Sequence, residues 1–432
     1  MKYDLIIIGA GPGGYETAAG AVALGMRVLL IERDRLGGTC LNHGCIPTKC
    51  LCSAAERIVE IKDAGKFGVT ATVENADYGF AVRRASAVMD ELRSGIADTL
   101  KGVDIISGTA SLSAPDSVSV DGAIYQADKI IIATGSQPAQ LRCAGAEEAV
   151  DSDLFLTLDT LPEQLTIVGG GVIGIELASI AAAYGTKVTV LEYCAEILPS
   201  LDSDIAKRLR SYLGKRGIDI VTNAEVTAIL PDKTVVYTRK GKEKTIMSDM
   251  VLCAVGRRAV IPDGCTELGI AIDKRGYIIT DDSMQTSVHG IFAIGDINGR
   301  CLLAHAASAQ GKIVLGQKPR LDVMPSVVFT IPECASVAGK ELPAEQAAVK
   351  LPYGANGKAL ASGQQEGLLK LNYDKATEVI TGCHAVGAHA ADLVAVASLA
   401  ITQRMTLSQL ADEIIFAHPT LSELIAQAAV IK

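Results

Sequence analysis

Apolar runs of strand length, each closed by glycine, set the rhythm of this chain. Tyr3 to Ile8 is β-rich and runs into Gly9-Ala10-Gly11-Pro12-Gly13-Gly14, then into a helix-like stretch from Tyr15 to Leu24. A second apolar run, Arg27 to Ile31, ends in Glu32. Strand, glycine turn, helix, strand and acid follow in the order of a Rossmann unit. The pattern returns at Leu165 to Val168, Gly169-Gly170-Gly171-Val172-Ile173-Gly174, a helical run to Tyr184, a strand from Lys187 to Leu191, and Glu192. In each copy the acid stands 23 residues after the first glycine, where it reaches a ribose hydroxyl. In this reading Gly9, Gly11 and Gly14, and again Gly169, Gly171 and Gly174, let backbone approach a pyrophosphate seated on a helix N-terminus.

Between the two units, residues 54–100 read as helical, and Asp104 to Asp128 as short strands with turns at Pro115-Asp116 and Asp121-Gly122. Buried-type strand ends recur at Lys129 to Ala133, Met250 to Val255 and Gly290 to Ile294, so the second Rossmann unit is expected to be inserted in the first. After Ile313, prolines punctuate β-like pieces. Strands are expected near Gly367 to Tyr373 and Glu378 to Val386, and helices over Ala391 to Gln403 and Ser422 to Ile431, an α+β pattern with its own core. The fold class is therefore α/β: two Rossmann-type domains, the second inserted, plus a C-terminal α+β domain. The boundaries expected are 1–147 and 257–318 for the first domain, 148–256 for the insertion and 319–432 for the last.

Length fits this division, since 432 residues exceed what one core serves. A net charge of −9 and a pI near 5.3, with no dense Lys/Arg run, leave no nucleic-acid footprint. Strand-like residues begin at Tyr3, leaving no room for a targeting peptide, and no apolar run reaches the length of a membrane span. Eleven cysteines without a secretory signal suit a reducing compartment, with the cytoplasm as the default and any real disulfide catalytic.

The chemistry concentrates in Gly37-Gly38-Thr39-Cys40-Leu41-Asn42-His43-Gly44-Cys45-Ile46-Pro47-Thr48-Lys49. Residues five apart on a regular helix lie about 8.7 Å apart at Cα, whereas a disulfide needs roughly 4.4–6.8 Å. If Cys40 and Cys45 are to close a bridge, the backbone between them must leave helical geometry. Gly37, Gly38, Gly44 and Pro47 permit or force that bend. Two inert buried thiols would be the bland alternative, but the pair follows a nucleotide-binding strand.

Two dinucleotides and a dithiol imply an electron relay of nicotinamide, flavin and disulfide. Only a flavin takes hydride on one side and exchanges electrons with sulfur on the other. The first site is then the FAD candidate, with Glu32 on its ribose. The second takes the nicotinamide cofactor, and Glu192 favours NAD because a carboxylate repels a 2′-phosphate. Dithiol exchange needs a base. His289, His384 and His389 read as loop or surface residues and His43 lies in the dithiol loop. His418 has Pro419 behind it and Glu423 five residues on, placed to hold one imidazole nitrogen.

These segments, with Ala133-Thr134-Gly135, Ala293-Ile294-Gly295-Asp296 and Ala417-His418-Pro419-Thr420-Leu421-Ser422-Glu423, resemble the dihydrolipoamide dehydrogenases over essentially the whole length. That is a branch of the FAD-dependent pyridine nucleotide-disulfide oxidoreductases. The resemblance implies that Cys40 exchanges with substrate and Cys45 stacks near the flavin. It places Lys49 by the flavin and paired with Glu176, Asp296 on the ribityl chain, and Ala304 and His305 close by. Thr39, Ala110 and Gly135 fall on the FAD side, and Val226 and Gly256 on the NAD side. His418 and Glu423 would serve the dithiol of the other subunit of a homodimer. The substrate implied is a dihydrolipoyl group on a separate carrier protein of an oxo-acid dehydrogenase or glycine cleavage system.

Departures from the family are Phe416 where a histidine is common, Ala306 and Gln310 where a lysine and a glutamate are common, and the extra thiols Cys50 and Cys52. Sister reductases are the rivals. A glutathione-type enzyme wants basic residues where Glu192 stands, and a mercuric reductase wants a C-terminal cysteine pair, whereas Ala428 to Ile431 is apolar. A zinc site built on Cys40, Cys45, Cys50, Cys52 and His43 lacks a second cysteine pair across a loop. A non-catalytic redox sensor on the same fold is the remaining alternative.

Overall fold

The computed structural model of the chain describes residues 2–339 and 343–431. Two compact units result, the first made of Met1–Cys50, Val82–Ala139 and Arg257–Leu321, the second of Leu51–Ala81, Gln140–Gly256 and Asp322–Lys432.

The first unit is organised by a seven-stranded sheet in the order Asp104–Ser107, Val28–Glu32, Lys2–Ile8, Ala123–Ile132, Ser117–Val120, Ala110–Ala114, with Ile291–Ala293 also on Ala123–Ile132. Its central strands run parallel, Ile6 facing Leu29 on one side and Ile130 on the other. Leu5, Ile6 and Ile7 are fully buried, as expected of strands covered on both faces. The last two strands run antiparallel, with turns at the two predicted points. The helix Pro12–Ala23 lies against the helix Ala304–Val314 at backbone distance, because small residues meet there. A Cβ on Gly13 would sit 3.1 Å from the Ala307 Cβ, and one on Gly311 only 1.8 Å from the Thr17 hydroxyl. That hydroxyl donates to the Gly13 carbonyl at 2.5 Å.

The second unit contains a four-stranded parallel sheet, Asp219–Thr222, Lys187–Glu192, Gln164–Val168, Met250–Cys253, beside a three-stranded meander from Glu225–Ile229 to Lys242–Ile246. It also holds a five-stranded antiparallel sheet, Ser326–Val328, Cys334–Ala338, Ile380–Val386, Leu368–Asp374, Gln346–Pro352. The helices Ala390–Thr402, Leu407–Asp412 and Glu423–Val430 share its core through residues such as Leu393, Leu410 and Ile425. Lys370 on this sheet binds Asp202 at 2.7 Å and Asp204 at 2.8 Å, fastening the start of the helix Ser203–Lys215.

Two expectations need correction. Residues 54–100 are not one helical stretch: Cys45–Asp63 and Tyr78–Thr99 are helices, and residues 69–77 between them are irregular. Gly68 takes φ +74°, and the β-branched residues that follow disfavour helix. His384 is a core residue, not a surface one. It is 7% exposed on Ile380–Val386, its Nδ1 paired with the Ser336 hydroxyl and its Nε2 3.2 Å from the Asn372 amide nitrogen. Desolvation holds its pKa below the usual histidine value.

Gly311→Ala is expected to force the two helices of the first unit apart and to destabilise the protein by about 1–3 kcal/mol, the usual effect of overpacking. A melting temperature equal to that of the wild type would show that the interface tolerates the extra carbon.

Candidate active site

Both glycine turns have the same backbone. Gly9 takes φ +102° and Gly169 φ +111°, and each N–H donates to the strand alongside, to Ile31 at 2.8 Å and Leu191 at 2.9 Å. A Cβ on Gly14 would meet the Gly9 oxygen at 1.9 Å, and one on Gly174 the Gly169 oxygen at 2.0 Å, so the third glycine is dictated by helix–strand packing. The middle glycines, Gly11 and Gly171, face open space within 4 Å. Neither caps its helix with a side chain, leaving first-turn N–H groups directed at an anion. These cradles fit the pyrophosphates of two dinucleotides.

Glu32 accepts the Ala10 N–H at 2.6 Å and the Asp34 N–H at 2.9 Å. Glu192, 7% exposed, accepts the Gly170 N–H and the Cys194 N–H, each at 2.6 Å. Each carboxylate is thus anchored to its own glycine turn with acceptor capacity remaining for a ribose. Val226 stands at a register shift in Glu225–Ile229, and Gly256, φ +120°, closes the strand Met250–Cys253 with open space around it.

The dithiol segment breaks where the disulfide geometry demanded. A short helix, Gly38–Asn42, stops at His43, and a new helix, Cys45–Asp63, begins at once. Gly37 and Gly38 take positive φ, +94° and +55°. The Gly37 N–H donates to the Ala10 carbonyl at 2.8 Å, and a Cβ on Gly38 would lie 2.7 Å from the Gly11 Cα. The redox segment therefore rests on the first glycine turn. Cys40 and Cys45 are thiols in this structure, hydrogen-bonded side chain to side chain. That bond, burial and the neighbouring sulfur push the Cys40 pKa up, while the Lys49 ammonium opposes the rise. Tyr15, pushed up to about 12 by burial and the charges of Glu16 and Cys40, completes the surroundings. Thr39 sits in the short helix, its carbonyl accepting the His43 N–H at 2.8 Å.

Sequence reading missed what braces this turn. The Asn42 amide donates to the Gly38 carbonyl at 2.9 Å and the Leu36 carbonyl at 3.1 Å, and its oxygen accepts from Arg93 at 2.8 Å. It also missed the setting of Asp296, which accepts the Ser136 hydroxyl at 2.5 Å while Arg257 donates to that hydroxyl and to the Ser136 carbonyl, both at 2.7 Å. The Gly256-Arg257 pair at a strand end was the available signal. Gly135, φ +66°, lies just before Ser136, and Ala304 opens the helix that packs on Pro12–Ala23. Ala110 is less close to this group in sequence, 7% exposed at the start of Ala110–Ala114, two residues past the Gly108 N–H that donates to the Glu32 carbonyl at 2.9 Å. The extra thiols point elsewhere: burial raises Cys50, which Arg84 contacts, and Cys52 donates to the Phe329 carbonyl at 3.2 Å.

In the second unit Glu176, 3% exposed, accepts the Phe329 N–H at 2.8 Å. His418 Nδ1 lies 2.9 Å from Glu423 Oε1, and Glu423 Oε2 accepts the Thr420 N–H at 2.9 Å. The imidazole is 80% exposed, so its other nitrogen faces outward. The Thr420 N–H, and then His418, hold the Glu423 carboxyl below the usual glutamate value.

The sequence profile described as pyridine nucleotide-disulphide oxidoreductase matches residues 3–311, and the dimerisation-domain profile of the same description matches residues 324–429. The chain belongs to the pyridine nucleotide-disulphide oxidoreductase family. It is 39% identical to a dihydrolipoyl dehydrogenase of Geobacillus stearothermophilus over 99% of this chain and 96% of that one. It is 38% identical to one of Thermus scotoductus with the same coverage. Among solved structures, the HOCl-induced flavoprotein disulfide reductase RclA from Escherichia coli superposes with a TM-score of 0.87 at 29% identity, covering 100% of both chains. This member of the family is an oxidoreductase that uses FAD and NAD(H) and acts on a sulfur group. Its fold is two Rossmann-type domains, one inserted, and an α+β dimerisation domain.

Because its folded pKa is depressed, the Glu423 carboxylate stabilises the protein above the ordinary glutamate value of about 4.3 and loses that contribution as pH falls through its lower folded value. The melting-temperature difference between wild type and Glu423→Gln should therefore hold from pH 7 to about 5 and shrink as pH falls from about 5 toward about 3. A difference constant across that range would contradict this assignment.

Proposed function

We propose that the enzyme reoxidises dihydrolipoyl groups on a carrier protein to the lipoyl disulfide while reducing NAD⁺ to NADH. The observation that carries this reading is the Cys40–Cys45 pair, held thiol to thiol on the glycine turn of the first dinucleotide cradle. The full-length similarity to dihydrolipoyl dehydrogenases supports the substrate.

With the pair oxidised, a dihydrolipoyl thiolate attacks Cys40, forming a mixed disulfide and releasing Cys45 as a thiolate. The second substrate sulfur then attacks the first, closing the lipoyl ring and releasing Cys40. His418 Nε2 removes a proton from the substrate thiol, because the attacking species is the thiolate. Glu423, on Nδ1, fixes the tautomer and stabilises the imidazolium. Lys49 favours the thiolate form of Cys40. A flavin held in the first cradle would supply the two-electron carrier between the Cys40–Cys45 dithiol and NAD⁺.

FAD is assigned to the first cradle, with Gly9, Gly11, Gly14, Glu32, Thr39, Ala110, Gly135, Asp296 and Ala304, and NAD to the second, with Gly169, Gly171, Gly174, Glu192, Val226 and Gly256. By the resemblance, Lys49 and Glu176 complete the catalytic set of this assignment. The domain division is 1–147 with 257–318, 148–256, and 319–432. The working unit is a homodimer in which His418 and Glu423 act on the dithiol of the other copy. The place of action is the cytoplasm; among the described residues no helix is long and apolar enough to cross a membrane.

Purified protein with FAD should oxidise dihydrolipoamide with NAD⁺ and should use NADP⁺, glutathione disulfide or Hg²⁺ poorly. Absence of the first activity would overturn the reading. Cys40→Ala should abolish lipoamide turnover while FAD remains bound, and full turnover would remove the dithiol from the mechanism. His418→Gln should slow turnover by about 10²- to 10⁴-fold, the usual contribution of a general base. A near-normal rate would mean that another group takes the proton.

A further inference from the structure

Ser136, Arg257 and Asp296 come from three separate segments of the first unit and meet in one chain of hydrogen bonds. Ser136 lies on the short strand Ser136–Pro138 and Arg257 on Arg257–Ala259, which pair antiparallel, Arg257 facing Pro138 and Ala259 facing Ser136. Asp296 stands on the short 3₁₀ helix Gly295–Asn298, just past the strand Ile291–Ala293, which runs parallel to Ala123–Ile132. That is the carboxyl end of a parallel strand, the end at which open α/β sheets bind their ligands. Its neighbour Gly295 also lies close to the first glycine turn. A Cβ on Gly295 and a Cβ on Gly13 would each sit 3.1 Å from the Ala307 Cβ.

The protons in this chain have a fixed order. A guanidinium has no acceptor atom, so Arg257 Nε–H donates to the Ser136 hydroxyl oxygen at 2.7 Å. The hydroxyl's own proton is then left for Asp296 Oδ2 at 2.5 Å. A second donation, from Arg257 Nη2 to the Ser136 carbonyl at 2.7 Å, grips the same residue at two points. Ser136 is buried, so its hydroxyl is oriented by protein groups. Each of its two bonds ends on a charged group, the class of hydrogen bond that is shorter and stronger than a neutral pair. Oδ2 is thereby committed, while no donor among the described residues bonds to Oδ1. Arg258, the next cation on the strand, takes no part and pairs with the Gln137 amide.

We infer that Arg257 and Ser136 are positioning residues of the FAD site. The guanidinium fixes the hydroxyl, the hydroxyl fixes Oδ2, and Oδ1 is turned to accept from the ribityl hydroxyls. The inference deepens the assignment of FAD to the first cradle, with Asp296 on its ribityl chain, and rests on it. It adds that flavin retention depends on two residues that act through the Asp296 carboxylate.

The test follows FAD retention by the purified holoenzyme, read as the fluorescence of FAD released on dilution, together with the visible circular dichroism of the bound flavin. Ser136→Ala and Arg257→Met should each raise the FAD Kd by roughly 3- to 10-fold, the effect of one lost hydrogen bond, and should alter the dichroism. Arg258→Met should stay within about twofold of wild type, with its dichroism unchanged. Action through Asp296 also makes the effects non-additive. In an Asp296→Ala or Asp296→Ser background, Ser136→Ala should change the Kd by less than about twofold, whereas a residue that only supports the fold would weaken retention by the same factor in either background. If Ser136→Ala retains FAD as wild type does, leaves the dichroism unmoved, or loosens FAD equally with and without Asp296, the inference is overturned and the FAD assignment stands. If the Asp296 variants themselves retain FAD as wild type does, the assignment of Asp296 falls, and the inference with it.

Discussion

The close seating of the dithiol turn on the first glycine turn is the constraint on which the rest of the chemistry depends. One main-chain bond, from Gly37 N–H to the Ala10 carbonyl, and one contact, between Gly38 and Gly11, join the two segments. Any side chain at position 38 would collide with the backbone of the nucleotide loop, and positions 37 and 38 both take positive φ. Glycine is the residue that meets both requirements at low strain. Because the loop that cradles a pyrophosphate also carries the sulfur pair, placing the cofactor and placing the thiols become one problem. Asn42 and Arg93 brace the far side of the turn, so little reorganisation is left for the exchange step.

The parts of this arrangement legible in the sequence are those determined by short-range geometry. The glycine spacing before each helix, the acid that ends each second strand, and the break between Cys40 and Cys45 all follow from backbone rules acting over a few residues. So does the His418–Glu423 contact, which spans five positions. What the sequence withheld is long-range. Ser136, Arg257 and Asp296 meet across separations of 121 and 160 residues. Glu176 finds the Phe329 N–H across 153. No periodicity encodes such pairings, because tertiary packing selects them. His384 shows the same limit from the opposite side. A polar residue in a strand reads as surface until its neighbours Ser336 and Asn372 are known to come from adjacent strands and to satisfy both ring nitrogens.

The near-identity of the two glycine turns moves the question of cofactor identity away from the glycines. With φ near +100° at the first glycine of each and the same collision at the third, backbone geometry alone cannot distinguish a flavin dinucleotide from a nicotinamide one. Discrimination has to come from what surrounds each turn. The first is joined to the redox segment and to the helix Ala304–Val314, whereas the second is followed by Tyr193 and Cys194 and flanked by Gly256.

The departure at Ala306 and Gln310 follows from charge balance. The two positions are four apart on one helix and are 0% and 1% exposed, so a lysine and a glutamate there would form a buried ion pair. Removing one partner alone would strand a charge out of water, which is strongly destabilising, while replacing both with neutral groups is often neutral. This chain carries neither charge, with Ala306 and Gln310 at the two positions. The Gln310 amide oxygen takes the Gly295 N–H at 2.7 Å and the Asn298 amide at 2.8 Å. The loop carrying Asp296 is therefore held from position 310 by neutral dipoles, with no ionised group to be stabilised out of water.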